Sequence, residues 1–156
     1  MANDGVVAAL GRIPSGIYVL TAGAGARATG MLASWVMQAG FEPPMISVAV
    51  RNGRYVADWL AEGQPFVINV VGEGQTQFLK HFGKGFEPDA PAFEGVAVRP
   101  CGRGVPILAE AIAHLECEPA SHVDSGDHRI FLARVVRGHA GDAAPMVHVR
   151  KNGLNY

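Results

Sequence analysis

Several short stretches of this chain bring together residue types that bind anions, stack on planar rings or move protons. Met31-Leu32-Ala33-Ser34-Trp35 carries a hydroxyl at the end of an apolar run, where backbone amides leaving a sheet also become free to bind an anion. Arg51-Asn52-Gly53-Arg54 adds a guanidinium leaving a buried strand and, directly after it, the start of a helix with free N–H groups and a favourable dipole. Together the two stretches can hold one phosphate. Trp35, Trp59, Phe78 and Phe82 are candidates for an aromatic wall against a planar ligand. The helical spacing of Trp59 and Phe78 reads as core, which leaves Phe82, beside a glycine loop, as the better wall. Gly126-Asp127-His128 places an imidazole at the mouth of a hairpin, where it can reach a substrate while Asp127 orients the turn. By itself the tripeptide reads more simply as a plain turn.

Other chemistries are excluded by context. Gly23-Ala24-Gly25-Ala26-Arg27-Ala28 matches the loose GxGxxA fingerprint and follows a strand. Residues 28–34 show no helical stripe, so no helix N-terminus would face a pyrophosphate, and no parallel βαβ alternation follows. GxxxxGK[ST], GxSxG and HExxH are all absent from the sequence. The histidines at 81, 114, 122, 128, 139 and 148 never sit at i,i+4 on a helical pattern. His114 and His122 can share a strand face with Glu116 or Glu118, a pattern that suits surface or core positions as well as a metal, and no metal site is expected. Thirteen Lys and Arg against fourteen Asp and Glu give a net charge of −1, which argues against nucleic acid and anionic membrane surfaces as partners. No basic leader and no apolar run near the roughly 20 residues of a membrane span occur, so a cytoplasmic protein is expected. Cys101 and Cys117 form no CxxC pair and read as structural thiols in a reducing compartment.

The elements that must position these groups follow from composition and periodicity. Gly 20 and Pro 10 in 156 residues disfavour a helical bundle and suit a β-rich fold with many turns. Asn3 or Asp4 can cap a short helix through Leu10, ended by Pro14 and Gly16. Residues 16–21 and a second extended run through Ser34 make a hairpin about the small turn 22–26. Pro43-Pro44 forces an extended lead into the buried strand 45–51. Asn52 is read as the cap of a helix over 54–62, stopped by Gly63, after which 65–71 returns as a strand. A helix over 75–82 presents Phe78, Leu79 and Phe82 on one face, and the loop 83–91 is a candidate lid or cofactor margin. A short helical turn near 108–110 precedes a long hairpin of 113–122 and 128–137 about Asp124-Ser125-Gly126-Asp127, then a last strand over 146–150. The expectation is one domain over 1–156, mainly β with a few helices, as a barrel closed on itself, which removes exposed edges.

Read as a set, Gly16-Ile17-Tyr18-Val19-Leu20-Thr21, Met31-Leu32-Ala33-Ser34-Trp35-Val36, Phe41 to Val50 and Gly126-Asp127-His128 resemble the flavin reductase-like, FMN-binding split-barrel family over nearly the whole chain. Residues 10–16, 32–36 and the ending His148-Val149-Arg150-Lys151 are most similar to the flavin reductase module at the C-terminal end of some flavodiiron proteins. The resemblance implies a homodimeric split β-barrel with FMN in a groove near the subunit interface, its phosphate held by the Ser34 region and Arg51. It further implies that Met31, Leu32, Ala33, Ser34 and Trp35, with Val48, Ala49 and Val50, run along the flavin. Phe82 would border the ring and His128 would stand on the nicotinamide side as the catalytic residue. The sequence departs from the family pattern where Trp35, Val36, Met37 and Ala39 replace most of a Ser- and Thr-rich segment, which leaves the number of direct phosphate contacts open.

The activity so implied is hydride transfer from C4 of NADH or NADPH to flavin N5, with electrons passed on to an acceptor such as a flavodiiron or monooxygenase partner. The protein's task would be to align the two rings at a near-attack distance of roughly 3–3.5 Å. Backbone amides around 48–50 would meet the developing charge and His128 would orient the nicotinamide or give a proton. The competing reading is a non-catalytic FMN-binding electron-transfer module reduced by a partner protein. A weaker one is a split barrel that binds haem.

Overall fold

Helix α1 (Asp4–Gly11) starts where the Asn3 side chain accepts the Val6 amide at 2.9 Å, the cap expected from an Asn ahead of an apolar run. The structure, a computed structural model, describes residues 3–155. A short strand β1 (Ser15–Gly16) leads into the hairpin β2 (Tyr18–Ala22) and β3 (Thr29–Ala33), which turns through a 3-10 segment at Gly25–Arg27. Then come β4 (Val36–Gly40), β5 (Met45–Arg51), α2 (Tyr55–Ala61), β6 (Phe66–Val70) and α3 (Thr76–Phe82). The small hairpin β7 (Val98–Pro100) and β8 (Pro106–Leu108), the long hairpin β9 (Ala113–Ser125) and β10 (His128–Ala140), and β11 (Val147–His148) complete the chain. Among the described residues no helix is long and apolar enough to cross a membrane.

The main sheet has seven antiparallel strands in the order β3-β2-β6-β9-β10-β5-β4. Its two end strands, β3 and β4, are consecutive in the chain and joined by Ser34-Trp35 alone. The sheet therefore curls until its edges meet at that junction, where the Trp35 carbonyl accepts the Ala49 amide at 3.0 Å. No ladder pairs β3 with β4 among the described residues, so the barrel that composition alone read as closed is the split barrel that the resemblance implied, joined by the chain and slit where hydrogen bonds would close it.

Strand β5 alternates strictly, with Ile46, Val48 and Val50 buried inside the barrel and Ser47 and Ala49 on the outer side, as period-two geometry requires. Helix α2 inserts Val56, Ala57, Trp59 and Leu60 into the same core. Strand β2 is buried on both faces: Leu20 faces the barrel interior, and Val19 joins Ile17, Val71, Phe78, Phe82 and Leu108 under α3. Asn69 is fully buried and satisfied, donating to the Val19 carbonyl and the Thr21 hydroxyl and accepting the Leu108 amide. It ties β2, β6 and β8 together through a polar group that would otherwise be costly to bury.

Several local expectations give way to tertiary context. Residues 41–44 form a turn, with Glu42–Pro43 in the cis form, rather than an extended lead into β5. Asn52 does not cap α2; Arg54 occupies that position without a side-chain bond, while Asn52 bonds Gly126 and Asp127 across the hairpin turn. The turn expected near 108–110 follows directly on β8, whose last residue Leu108 pairs with β7, and it closes where the Ala111 amide donates to the Leu108 carbonyl at 3.2 Å. The last strand is only β11, paired with β1, while β9 and β10 run further than their apolar patterns suggested.

Candidate functional site

A groove of about 310 Å³ opens along the slit. Its lining takes Met31, Leu32, Ala33, Ser34 and Trp35 from the end of β3 and the junction, Ala49 from β5, and Leu79, Phe82 and Gly83 from the end of α3. Ile17, Arg54, His148 and Arg150 complete it. The strand register explains the choice from β5: only the outward, small Ala49 reaches the groove, while Val48 and Val50 turn into the core with 0% and 1% exposure. Their expected place along a ligand is thus limited to backbone atoms, and the Ala49 amide between them is already committed to Trp35. Gly30 matters on the opposite side, because a Cβ there would lie 2.8 Å from the edge of the Phe82 ring; its absence lets that ring come close against β3. Phe82 borders the groove as expected, yet it is also a core residue, surrounded by Phe78, His81, Phe86 and Phe93. Trp59 is core, with Arg27 stacked on it.

Arg51 and Arg54 take different places from those the strand-end motif suggested. Arg54 lines the groove, and Arg51 lines an adjoining pocket of about 160 Å³ with Trp35, Asp127, His128, Arg150, Gly153, Leu154 and Asn155. The pairing of β5 with β10 sets His128 directly opposite Arg51, so both lie on one side of the sheet. His128 is not at an open mouth. It is only 7% exposed, lies 4.7 Å from the Trp35 ring, and its Nδ1 shares a 2.7 Å hydrogen bond with Asp127. That bond is the main reason the Asp127 carboxyl is held below its usual range, with the His128 and Arg51 charges adding to it.

Trp35 and Arg150 belong to both cavities and form the wall between them. The Arg150 guanidinium lies 5.3 Å from the Trp35 ring centre and donates to the carbonyls of Gly153 and Leu10, each at 3.4 Å. At the other end of the groove, Met31 and Arg54 are shared with a bay of about 320 Å³ that adds Gly53, Tyr55, Lys84 and Phe86. The loop after α3 therefore does lie at the margin of the groove. It is tied down there by the Tyr55 hydroxyl to the Phe86 carbonyl and by His81 to the Ala92 carbonyl, both at 2.7 Å.

The structure thus gathers Met31 to Trp35, Ala49 and Phe82 around one groove and sends Arg51 and His128 next door. Sequence reasoning missed Arg54's place in the groove, Leu79, Lys84, His148 and Arg150. His148 and Arg150 arrive only because β11 pairs with β1, a contact with no local signature. Among the described residues no group of His, Cys, Asp and Glu is placed to hold a metal ion. Cys117 is buried, with its thiol pushed up to about 12 chiefly by burial, while Cys101 is partly exposed.

Residues 10–153 match the flavin reductase like domain family. The chain belongs to that family. Diflavin flavoprotein A 1 of Synechocystis sp. is 44% identical over 151 residues, covering 95% of this chain but 26% of that protein, so the chain spans about a quarter of the length of that curated relative. Among solved structures, the NADH:FAD oxidoreductase SgcE6 of Streptomyces globisporus C-1027 aligns with a TM-score of 0.83 at 27% identity, over 91% of this chain and 85% of the other. The styrene monooxygenase flavin reductase of Pseudomonas putida S12 aligns with a TM-score of 0.78 at 28% identity, over 92% and 91%. The split barrel of this chain is the flavin reductase fold.

Proposed function

We propose that this chain is an NAD(P)H-dependent flavin reductase that holds FMN in the slit groove and passes its electrons to a separate acceptor. The groove carries this reading. Its apolar walls of Met31, Leu32, Trp35, Leu79 and Phe82 suit a planar ring, and Ser34 and Arg54 suit a phosphate. The Ser34 side chain makes no hydrogen bond to another described residue, which leaves its hydroxyl for a ligand. A flavin nucleotide has that combination of parts, and the residues present fit it.

Bound there, a flavin supplies the redox chemistry by taking hydride at N5 from a reduced nicotinamide. The chain's own groups do the positioning. Ser34 and Arg54 hold the phosphate end, beside the bay that also contains Lys84, and so replace Arg51 in the role first expected of it. Ala49, a small side chain on the outer face of β5, leaves one face of the groove open for a second ring. Asp127 fixes the His128 imidazole against Trp35 in the adjoining pocket, from which it can orient a nicotinamide or give a proton.

Homodimerisation belongs to the same reading. Met37 and Leu132 lie in one cross-strand row through Ser47, and Val123 lies in the next through Ile130 and Ala49. Met37, Leu132 and Val123 are exposed. An apolar row on a sheet face that ends in a groove residue suits a second copy that closes the groove, and sedimentation equilibrium should show a dimer. The decisive test is the visible spectrum of the protein with FMN as NADH or NADPH is added without oxygen. Catalytic bleaching of the flavin band is expected; a bound flavin that stays oxidised with both nucleotides would mean an electron-transfer module instead.

A further inference from the structure

Residues 151–155 cross back over helix α1, and two glycines make the crossing close. The Gly153 amide donates to the Val7 carbonyl at 2.9 Å. A Cβ on Gly153 would lie 2.1 Å from the Leu10 Cβ, and one on Gly11 would lie 3.2 Å from the Asn152 backbone. Beyond this crossing, Leu154 and Asn155 line the pocket that holds Arg51, Asp127, His128 and Arg150. The hold is slight. Of residues 151–155 only Gly153 is buried, Leu154 is 59% exposed, and no salt bridge ties the segment among the described residues. Such a segment opens at low free energy compared with the barrel.

The same segment takes one donor of Arg150 through Gly153, and helix α1 takes another through Leu10; Arg150 has no carboxylate partner among the described residues. Its guanidinium bonds to the Gly153 and Leu10 carbonyls at 3.4 Å, and these long bonds to uncharged acceptors are weaker than the bonds a charged phosphate would offer. Among the described residues, the pocket beneath contains two guanidinium groups, of Arg51 and Arg150, against one carboxylate, of Asp127, so it favours an anion.

We propose that residues 151–155 are a strap over the pocket beside the groove, which a phosphate-bearing nicotinamide nucleotide displaces by taking Arg150 from it. The proposal rests on the flavin reductase reading and adds a gate to that site. Strap and anion compete for one guanidinium, so each weakens the other.

Gly153→Val, pressing on Leu10, and Gly11→Val, pressing on the backbone of Asn152 and Arg150, push the strap off α1 from opposite sides; neither glycine lines the groove, and Gly11 lies outside the adjoining pocket as well. Each should lower the KM for NADH about fivefold at saturating flavin, because the competent state no longer has to be selected. Each should also raise acrylamide quenching of tryptophan fluorescence through Trp35, since Trp59 stays buried. In the unaltered protein, inorganic pyrophosphate without flavin should raise that quenching. Variants that show the increased quenching but an unchanged or higher KM would overturn the gate, as would pyrophosphate that leaves the quenching of the unaltered protein unchanged. An unaltered protein that fails to reduce flavin would sink the reductase reading instead, while the quenching by pyrophosphate would still report on the strap.

Discussion

Arginine 54, rather than arginine 51, should carry the phosphate, and the affinities of two ligands can decide between them. Arg54 lines the groove and Arg51 the pocket next door. A hydrogen bond to a charged group is worth about 1.5–3 kcal/mol, and because Arg54 is exposed the lower end applies. Removing it by Arg54→Ala should therefore cost about 1.5 kcal/mol, or about a tenfold weaker FMN affinity. Arg51→Ala should change that affinity by much less. Riboflavin, which has the ring and no phosphate, provides the internal control, and its affinity should be the same in both variants. The assay is quenching of flavin fluorescence on titration with protein, repeated at low and high salt, where the Arg54 contribution should shrink with ionic strength. A larger loss with Arg51→Ala, or an equal loss of riboflavin and FMN with Arg54→Ala, would refute the assignment of the phosphate end.

Three further outcomes follow from the structure. Asn69→Leu strips the Val19 carbonyl, the Thr21 hydroxyl and the Leu108 amide of a buried partner and should cost about 2–4 kcal/mol in urea unfolding; a loss below about 1 kcal/mol would mean that the clamp is dispensable. His114 is held below its ordinary value of 6.5, first by burial and then by Arg99. The unfolded chain therefore binds that proton more readily, stability is lost as pH falls below about 6.5, and His114→Gln should flatten the fall in urea midpoint between about pH 7 and pH 5. Cys117, with its thiol raised to about 12, should stay silent to a thiol reagent in the native protein while Cys101 reacts; labelling of Cys117 before unfolding would contradict its burial.

The parts of this fold that were legible in the sequence are those set by neighbours along the chain. Strand β5 has the bounds its β-branched run predicts, whereas Val48, Ala49 and Val50, expected together along the flavin, are separated by the alternation that turns Val48 and Val50 into the core. The Asn3 cap and the hairpin turn at Gly126-Asp127 are likewise local chemistry. Strand β4 was not legible, because Val36 to Gly40 is an edge strand, largely exposed, with a partner on one side only, so no apolar period marks it. The three-residue strands β7 and β8 exist only through their pairing. Asn52 has the residue type of a helix cap, but the hairpin turn brought beside it offers two partners and takes it away from α2.

Sequence alone determined a β-rich chain whose anion-binding, aromatic and imidazole residues stand at strand ends, since residue type and period-two alternation need nothing beyond the local chain. Only the tertiary structure decided that these ends face two adjoining cavities, with Arg54 in one, Arg51 and His128 in the other, and Arg150 in the wall between. The reason is that a cavity is defined by which strands fail to pair. Ser34 and Trp35 sit at a slit because β3 and β4 close the sheet without a ladder between them, and Arg150 reaches that slit through the pairing of β11 with β1.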